Sequence, residues 1–146
     1  MYTIGQIAEM FDLPISTLRY YDKEGLFPNL SRVSGIRKFT DREVDTLRVI
    51  ECLKKSGLEI KDIKHFMELC SKGNSTYAER KALLEDRKKA VESEMEQIQR
   101  TLSMLQYKCW YYEQAIVDGN ENHIHEMLPD HLPAAIQKLY DHAHEK

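Results

Sequence analysis

The chain has 146 residues, of which 42% are hydrophobic and 31% are charged, a balance typical of a soluble, helix-rich domain with an extension. No apolar run is long enough to span a bilayer, and Met1 is followed at once by a capped helix, so we expect a cytoplasmic protein without a signal peptide or a membrane partner. Three cysteines without a close pair indicate neither a disulfide framework nor a four-ligand zinc site.

The formal net charge of −3 hides an uneven distribution. Residues 15–42 carry six Lys or Arg and three Asp or Glu, which gives a net charge of +3. Residues 73–146 carry nine Lys or Arg and thirteen Asp or Glu, which gives a net charge of −4. Because salt screens charges that are more than about 10 Å apart, a local basic segment is sufficient for contacts with phosphate groups. The overall acidity therefore does not exclude nucleic acid as a partner.

Caps and glycines predict the helix boundaries. Capping-box pairs occur at Thr3 with Gln6, Thr40 with Glu43 and Thr76 with Glu79, and glycines 25, 57, 73 and 119 each follow a helical stretch. These signals predict helices near 4–11, 16–24, 41–56, 60–71 and 77–118, and a shorter one near 131–144 that Asp130 opens.

The first two predicted helices are short and flank a tight turn at residues 12–14. The second is rich in Arg, Tyr and Lys, a combination typical of a helix-turn-helix whose second helix reads DNA. We expect Ser16 to cap this helix and Tyr21, about 100° away from Tyr20, to lie partly in the core. The candidate DNA contacts of the helix are Ser16, Thr17, Arg19, Tyr20 and Lys23.

The segment between Leu26 and Phe39 has turn residues and short β-like stretches, which predict a hairpin. Arg32 would lie on one arm and Arg37 and Lys38 on the other. Such a wing beside the recognition helix would contact phosphates, although the same charges also fit a solvated turn. Lys61, near the start of the predicted helix at 60–71, is a further candidate phosphate contact.

The long helix carries an apolar seam with alternate spacings of four and three residues. Nine of the ten seam positions are apolar or Cys, and Lys88 is the exception. This spacing predicts a coiled coil, and a helix of about 42 residues needs a partner helix from a second copy. The seam positions are Leu84, Lys88, Val91, Met95, Ile98, Leu102, Leu105, Cys109, Tyr112 and Ile116.

Three segments together resemble the MerR family of bacterial transcription regulators. They are Ser16-Thr-Leu-Arg-Tyr-Tyr-Asp-Lys-Glu-Gly-Leu26, Gly35-Ile-Arg-Lys-Phe39 and Leu53-Lys-Lys-Ser-Gly-Leu-Glu-Ile-Lys-Asp-Ile63. The resemblance implies a mainly α fold, with a winged helix-turn-helix DNA-binding domain at 1–73 and an antiparallel coiled-coil dimerisation helix at 74–119. A short, partly helical tail would occupy 120–146.

The resemblance also implies a mechanism. Family members bind promoters, as homodimers, where an overlong spacer separates the −35 and −10 elements. The activated dimer bends and untwists this spacer, so that RNA polymerase, an indirect partner, finds both elements in register. This chain would then be a DNA-binding regulator in the cytoplasm, with no cofactor and no metal.

Cys52 is the candidate sensor of a small-molecule signal. Arg48 and Lys55 stand at i−4 and i+3 from it, where cations favour the reactive thiolate, although the adjacent Glu51 partly offsets them. The context Cys52-Leu-Lys-Lys-Ser-Gly57 also resembles the AdhR- and NmlR-like subgroup, which responds to aldehydes or other electrophiles. The alternative is an inert, half-buried cysteine. Cys70 is expected to pack in the core, and Cys109 in the seam.

Other readings of the chain remain open. The aromatic run at 110–112 either anchors a terminal helix or forms part of a non-covalent effector site. Five tail histidines form two His-x-His pairs, yet side chains at i and i+2 of a helix diverge, so an exposed polar tail is favoured over a metal site. A coiled-coil adaptor that binds protein instead of DNA is a further alternative. No grouping of catalytic residues points to an enzyme.

Overall fold

The computed structural model describes residues 1–145, which divide into two compact units, residues 1–87 and the residues from Lys88 onward. The elements are α1 (Ile4–Phe11), α2 (Ile15–Lys23), β1 (Ser31–Val33), β2 (Ile36–Lys38), α3 (Asp41–Lys55), α4 (Ile60–Ser71), a 3-10 turn (Asn74–Thr76), α5 (Tyr77–Asp118), α6 (Asn122–Met127) and α7 (Ala134–Ala143). The predicted fold class, mainly α with a winged helix-turn-helix and a long helix, is confirmed. Within the described residues, no helix has both the length and the apolarity needed to cross a membrane.

Two of the three predicted capping boxes are present. In α1 the Thr3 side chain accepts from the backbone of Gln6 at 3.1 Å, and the Gln6 side chain accepts from the Thr3 N–H at 2.9 Å. Thr40 and Glu43 form the equivalent box at the start of α3. Each box satisfies backbone N–H groups that the first turn leaves without a partner, which is why both helices begin where the sequence predicted.

Two other predicted caps are wrong, although both helices begin within one residue of their predicted positions. The helix α2 begins at Ile15 with Pro14 at its N-cap, so Ser16 lies inside the first turn and makes no capping hydrogen bond. Thr76 ends the 3-10 turn, and its hydroxyl donates to the carbonyls of Leu69 and Gly73, at 2.6 and 2.9 Å.

The first unit has one apolar core, formed by α1 to α4 and by the segment that follows α2. Its largest fully buried side chains include Tyr21 and Phe39, which come from α2 and from the end of the hairpin. The rings of Phe27 and Phe39 meet edge to face, 5.6 Å apart. The core therefore links the recognition helix to the wing. The buried members are Ile7, Ala8, Leu18, Tyr21, Leu26, Phe27, Phe39, Val44, Leu47, Ile50, Leu53 and Ile63.

The wing is a two-stranded antiparallel hairpin. Arg32 lies opposite Arg37, and Ser34 and Gly35 form the turn, both with positive φ. Below the hairpin, Tyr2 and Phe39 exchange backbone hydrogen bonds of 2.7 and 2.9 Å, which attach the base of the wing to the amino-terminal segment.

The turn between α3 and α4 is tied to the start of α5. Gly57 has a φ of +88°, and a Cβ there would lie 2.3 Å from Nη2 of Arg87. The Arg87 Nε–H donates to the carbonyl of Ser56 at 2.6 Å. The left-handed backbone favours a glycine at this turn, while the Arg87 guanidinium, at the end of a flexible side chain, could shift to make room for a Cβ.

The second unit contains the distal part of α5 and a folded tail. Ile124 of α6 is fully buried, and Leu132 is 7% exposed, because both pack against Tyr107 and Tyr111 of α5. Four of the five tail histidines are exposed, as expected, and His142 is half-buried, so the tail has a polar surface but packs on α5 through its apolar residues. α6 was not predicted, and α7 begins at Ala134 after Pro133 rather than near Asp130.

Candidate nucleic-acid interface

The recognition helix α2 divides into a buried side and an exposed side. Leu18 and Tyr21 are buried, whereas Arg19, Tyr20 and Lys23 are exposed. In the part of the chain that the structure describes, neither Arg19 nor Lys23 has an ion-pair partner. Ser16 is also exposed and Thr17 is half-buried, so the five candidate contacts differ in accessibility.

Tyr21 is held by a polar network at the edge of the core. Its hydroxyl donates to Oε1 of Glu51 and accepts from Nζ of Lys54, each at 3.0 Å. Burial of the ring is the main reason that the pKa of Tyr21 is raised, while the hydrogen bond from Lys54 acts in the opposite direction. These bonds connect α2 to α3, while the burial of Leu18 and of the Tyr21 ring turns Arg19, Tyr20 and Lys23 outward.

The two wing arginines are bound to the recognition helix. A single oxygen of Asp22, Oδ2, accepts from Nη2 of Arg32 at 2.9 Å and from Nε of Arg37 at 2.7 Å. Each guanidinium retains further N–H groups for other acceptors, because arginine has five donors. The arginines therefore do not form the freely solvated turn that was the alternative reading of the wing.

The remaining candidate cations surround α2. Lys38 ends the second strand and is half-buried, while Lys61 is exposed and lies 3.5 Å from the carboxylate of Glu59. Lys64 lies beside Gly25, at the end of the recognition helix, 3.9 Å from the position of a Cβ there. A concave surface that includes Tyr20 of α2 carries three lysines and two carboxylates; it is lined by Tyr20, Glu24, Lys54, Leu58, Glu59, Ile60, Lys61 and Lys64.

The predicted coiled-coil seam is exposed along α5. Ile98, Leu102 and Leu105 are 69, 52 and 57% exposed, and Ile116 is 81% exposed. Contiguous exposed apolar surface of this kind marks an interaction site in a soluble protein. Lys88, the polar seam position, lies 3.9 Å from Glu92 on the same helix.

Comparison with known proteins identifies the family. Residues 2–70 match the MerR HTH family of regulatory proteins, and residues 44–107 match the MerR DNA-binding family. An uncharacterized HTH-type transcriptional regulator of Haemophilus influenzae is 41% identical over 120 residues, which cover 82% of this chain and 89% of that protein. The chain belongs to the MerR family. It is therefore a transcriptional regulator and not an enzyme, as the sequence predicted.

Two further relatives support the AdhR- and NmlR-like subgroup of the MerR family. The regulator AdhR of Bacillus subtilis is 36% identical over 84 residues, or 57% of this chain and 60% of AdhR. The crystal structure of HiNmlR, a MerR family regulator lacking the sensor domain and bound to promoter DNA, matches with a TM-score of 0.63 and 39% identity. That match covers 84% of this chain and 98% of HiNmlR.

Cys52 of this MerR-family chain is exposed on α3. The alternative of an inert, half-buried cysteine is therefore wrong about its burial, and its reactivity stays a prediction. Arg48, the preceding cation, is paired with Asp45 at 3.2 Å. Cys70 is half-buried rather than fully enclosed, and Cys109 is exposed on the seam. The position of Cys52 on the surface makes it accessible to a small molecule without any opening of the core.

The aromatic run at 110–112 serves mainly to anchor the tail. Tyr111 is 7% exposed, and its hydroxyl donates to Glu121 at 2.5 Å, which raises the pKa of Tyr111 to about 12. Since that proton is given to Glu121, the Nε2–H of His125 must donate to the tyrosine oxygen, 3.1 Å away. A groove also remains at this end, lined by Met104, Tyr107, Lys108, Tyr111, Tyr112, Leu128, Tyr140 and His144.

The tail histidines bind neighbouring groups of the second unit. His142 Nδ1 and the Ser103 hydroxyl share a hydrogen bond of 2.7 Å, and the ring of His144 stacks on Tyr140 at 4.1 Å. In the described residues, no three His, Cys, Asp or Glu side chains are grouped as metal ligands would be.

Sequence reasoning missed Asp22 and the Glu51–Lys54 pair. A signal for Asp22 did exist: residues 32 and 37 are symmetrical about the turn at 34–35, so two arginines had to face each other across the hairpin. Like charges directly opposite are destabilising, and a counter-charge was therefore to be expected. No comparable signal marks Glu51 and Lys54, because their bonds depend on how α2 and α3 cross.

Proposed function

We propose that this MerR-family regulator binds promoter DNA as a homodimer and activates transcription by distorting the spacer between the −35 and −10 elements. RNA polymerase is then an indirect partner, which reads the altered DNA rather than a surface of the regulator. This role assigns the protein to the cytoplasm, where bacterial promoters are accessible.

The observation that carries the proposal is the exposed side of α2. Arg19, Tyr20 and Lys23 present two cations and an aromatic ring beside a wing that is attached to the same helix. Such a pairing suits a recognition helix in the major groove with phosphate contacts on either side. The candidate contacts are Ser16, Thr17, Arg19, Tyr20, Lys23, Arg32, Arg37, Lys38 and Lys61, of which Ser16 is supported by exposure alone.

The exposed seam of α5 supports the dimer. A second α5 that packs in the antiparallel sense would cover the apolar positions of both chains and relieve their contact with water. Two recognition helices on one duplex double the number of phosphate contacts. Smooth bending of a site of 20–30 base pairs costs about 1–6 kcal/mol, and these additional contacts are the source of that free energy.

The signal in this proposal is a reactive aldehyde or another electrophile that modifies Cys52. The Cys52 thiolate would add to the carbonyl carbon of an aldehyde, a C–S bond would form, and the oxygen would take a proton from water. Exposure of Cys52 supports this step, as does the likeness to AdhR and NmlR. Cys52 lies beside Glu51, which bonds to Tyr21 of the recognition helix.

A second candidate signal is a non-covalent effector near Trp110–Tyr112. The groove between α5 and the carboxyl-terminal end of α7 favours it, because the rings of Tyr107 and Tyr111 lie beside Lys108 there. Against it, the aromatic side chains already contact the tail, and HiNmlR, described as lacking a sensor domain, is matched over 98% of its length.

The direct test of DNA binding is a fluorescence-anisotropy titration of a labelled promoter duplex at two salt concentrations. Wild-type protein should bind with an affinity that falls steeply with salt, since phosphate contacts release counterions. Arg19→Ala should abolish this binding and remain a dimer in ultracentrifugation. The matched control is Arg48→Ala, an exposed arginine on α3. Binding of protein partners without any promoter binding by the wild type would favour the adaptor alternative.

A further inference from the structure

One carboxylate, that of Asp22, connects both strands of the wing to the recognition helix. The strands have three residues each, and Val33 and Ile36 near the turn are 54 and 59% exposed, so little apolar packing holds the tip. An isolated two-stranded hairpin is marginally stable in water. The backbone bridge between Tyr2 and Phe39 secures only its base.

Arg32 and Arg37 make the tip less stable unless their charges are balanced. They are direct partners in the register of the hairpin, where like charges repel. Asp22 balances both through one oxygen, at 2.9 and 2.7 Å. The side chains of Asp22 and Arg37 are 14 and 23% exposed, so solvent screens this pair less than an ordinary surface ion pair.

We propose that Asp22 is a positioning residue for the DNA interface, which holds the wing in a fixed orientation relative to α2 without itself contacting DNA. This inference rests on the proposed function. It gives a role to a carboxylate that lies beside the surface proposed to bind a polyanion. The carboxylate weakens the attraction to phosphate but gives the wing a single geometry, and geometry is what a specific site requires.

A positioning role for Asp22 and a purely electrostatic role predict opposite changes in promoter affinity for Asp22→Asn. If Asp22 were only a negative charge near DNA, Asp22→Asn would tighten binding to every duplex. If Asp22 positions the wing, Asp22→Asn lowers affinity for the promoter duplex by about tenfold and does not weaken binding to a scrambled duplex, because non-specific binding needs charge and not geometry. The ratio of the two affinities is therefore the quantity to measure.

Glu24→Gln is the matched control. Glu24 is the C-cap residue of the same helix, and its substitution removes one negative charge, as Asp22→Asn does, but leaves the ion pairs of Asp22 with Arg32 and Arg37 in place. We expect Glu24→Gln to leave the ratio of affinities unchanged. Asp22→Glu, which keeps the carboxylate, should recover at least half of the lost discrimination. Equal tightening on both duplexes by Asp22→Asn and Glu24→Gln would overturn the proposal, as would a loss in Asp22→Glu as large as in Asp22→Asn.

A measurement on the free protein separates this inference from the proposed function. In hydrogen–deuterium exchange without DNA, wing amides of residues 31–38 should exchange about tenfold faster in Asp22→Asn, while those of α1 and α3 keep their wild-type rates. Unchanged wing protection would refute the positioning role. If instead the wild type binds no promoter duplex, the proposed function fails, whereas the exchange experiment still decides whether Asp22 holds the wing.

Discussion

Tyr21 of the recognition helix donates its hydroxyl proton to Glu51 of α3 at 3.0 Å. The same oxygen accepts from Lys54, one turn further along α3, also at 3.0 Å. The ring beneath is 1% exposed, so the polar group lies at the boundary of the core while the ring fills it. Tyr21 thus joins the recognition helix to α3 through a side chain that is apolar over most of its length and polar at its tip.

Tyr21→Phe should therefore destabilise the first unit while keeping its packing. The variant loses two hydrogen bonds, but Glu51 is half-buried and Lys54 is exposed, so water can replace the lost partner. We expect a decrease of about 1 kcal/mol in the free energy of unfolding, measured by urea denaturation. Tyr20→Phe is the control, because Tyr20 is 47% exposed, and it should change stability by less than about 0.5 kcal/mol. Equal effects of the two substitutions would contradict the network.

Cys52→Ser should retain promoter binding and lose activation by electrophiles. The substitution replaces the thiol with a hydroxyl, which forms no thiolate, and it changes an exposed position, so folding is unaffected. The measurement is transcription from the target promoter in vitro, with and without an added aldehyde. Cys109→Ser, at another exposed cysteine, should respond as the wild type does. Normal induction in Cys52→Ser would exclude Cys52 as the sensor.

Leu105→Glu should dissociate the proposed dimer. In the dimer, a carboxylate in the seam would lose its hydration against the apolar face of the partner helix, which is unfavourable. The fold of the monomer should not change, because Leu105 is 57% exposed in it. Sedimentation velocity should show a dissociation constant raised at least about tenfold. Gln106→Glu adds the same charge one position away from the seam and should remain dimeric. If both variants sediment as the wild type does, the seam is not the dimer interface.

Tyr111 should make the stability of the second unit dependent on pH in the alkaline range. Its hydrogen bond to Glu121 raises the pKa from 10.0 to about 12, so the folded state binds this proton more tightly than the unfolded state does. The stabilisation is fully present below pH 10 and is lost as the pH rises from 10 towards 12. Wild type and Tyr111→Phe should therefore differ most in thermal stability below pH 10, and the difference should shrink as the pH rises towards 12. Tyr112→Phe is the control; a constant difference between Tyr111→Phe and wild type across this range would contradict the assignment.

The sequence alone determined the elements of the first unit and the long helix. Capping pairs at Thr3 and Thr40 and the glycines after helices act within a few residues, so α1, α3, α4 and α5 begin and end within one residue of the predicted positions. The seam of α5 was predictable for the same reason, since it depends on spacing along one helix. The cationic candidates of α2 were recognised from residue type, and their exposure follows from the period of the helix.

Only the tertiary structure decided how those residues are held. The bonds of Asp22 to Arg32 and Arg37, and those of Tyr21 to Glu51 and Lys54, join residues that are 10 to 33 positions apart, and their existence depends on how α2 packs on the hairpin and on α3. The tail is the clearest case. Its polar composition predicted exposure, yet Ile124 and Leu132 find an apolar surface on α5, because burial depends on a few well-placed side chains and not on average composition.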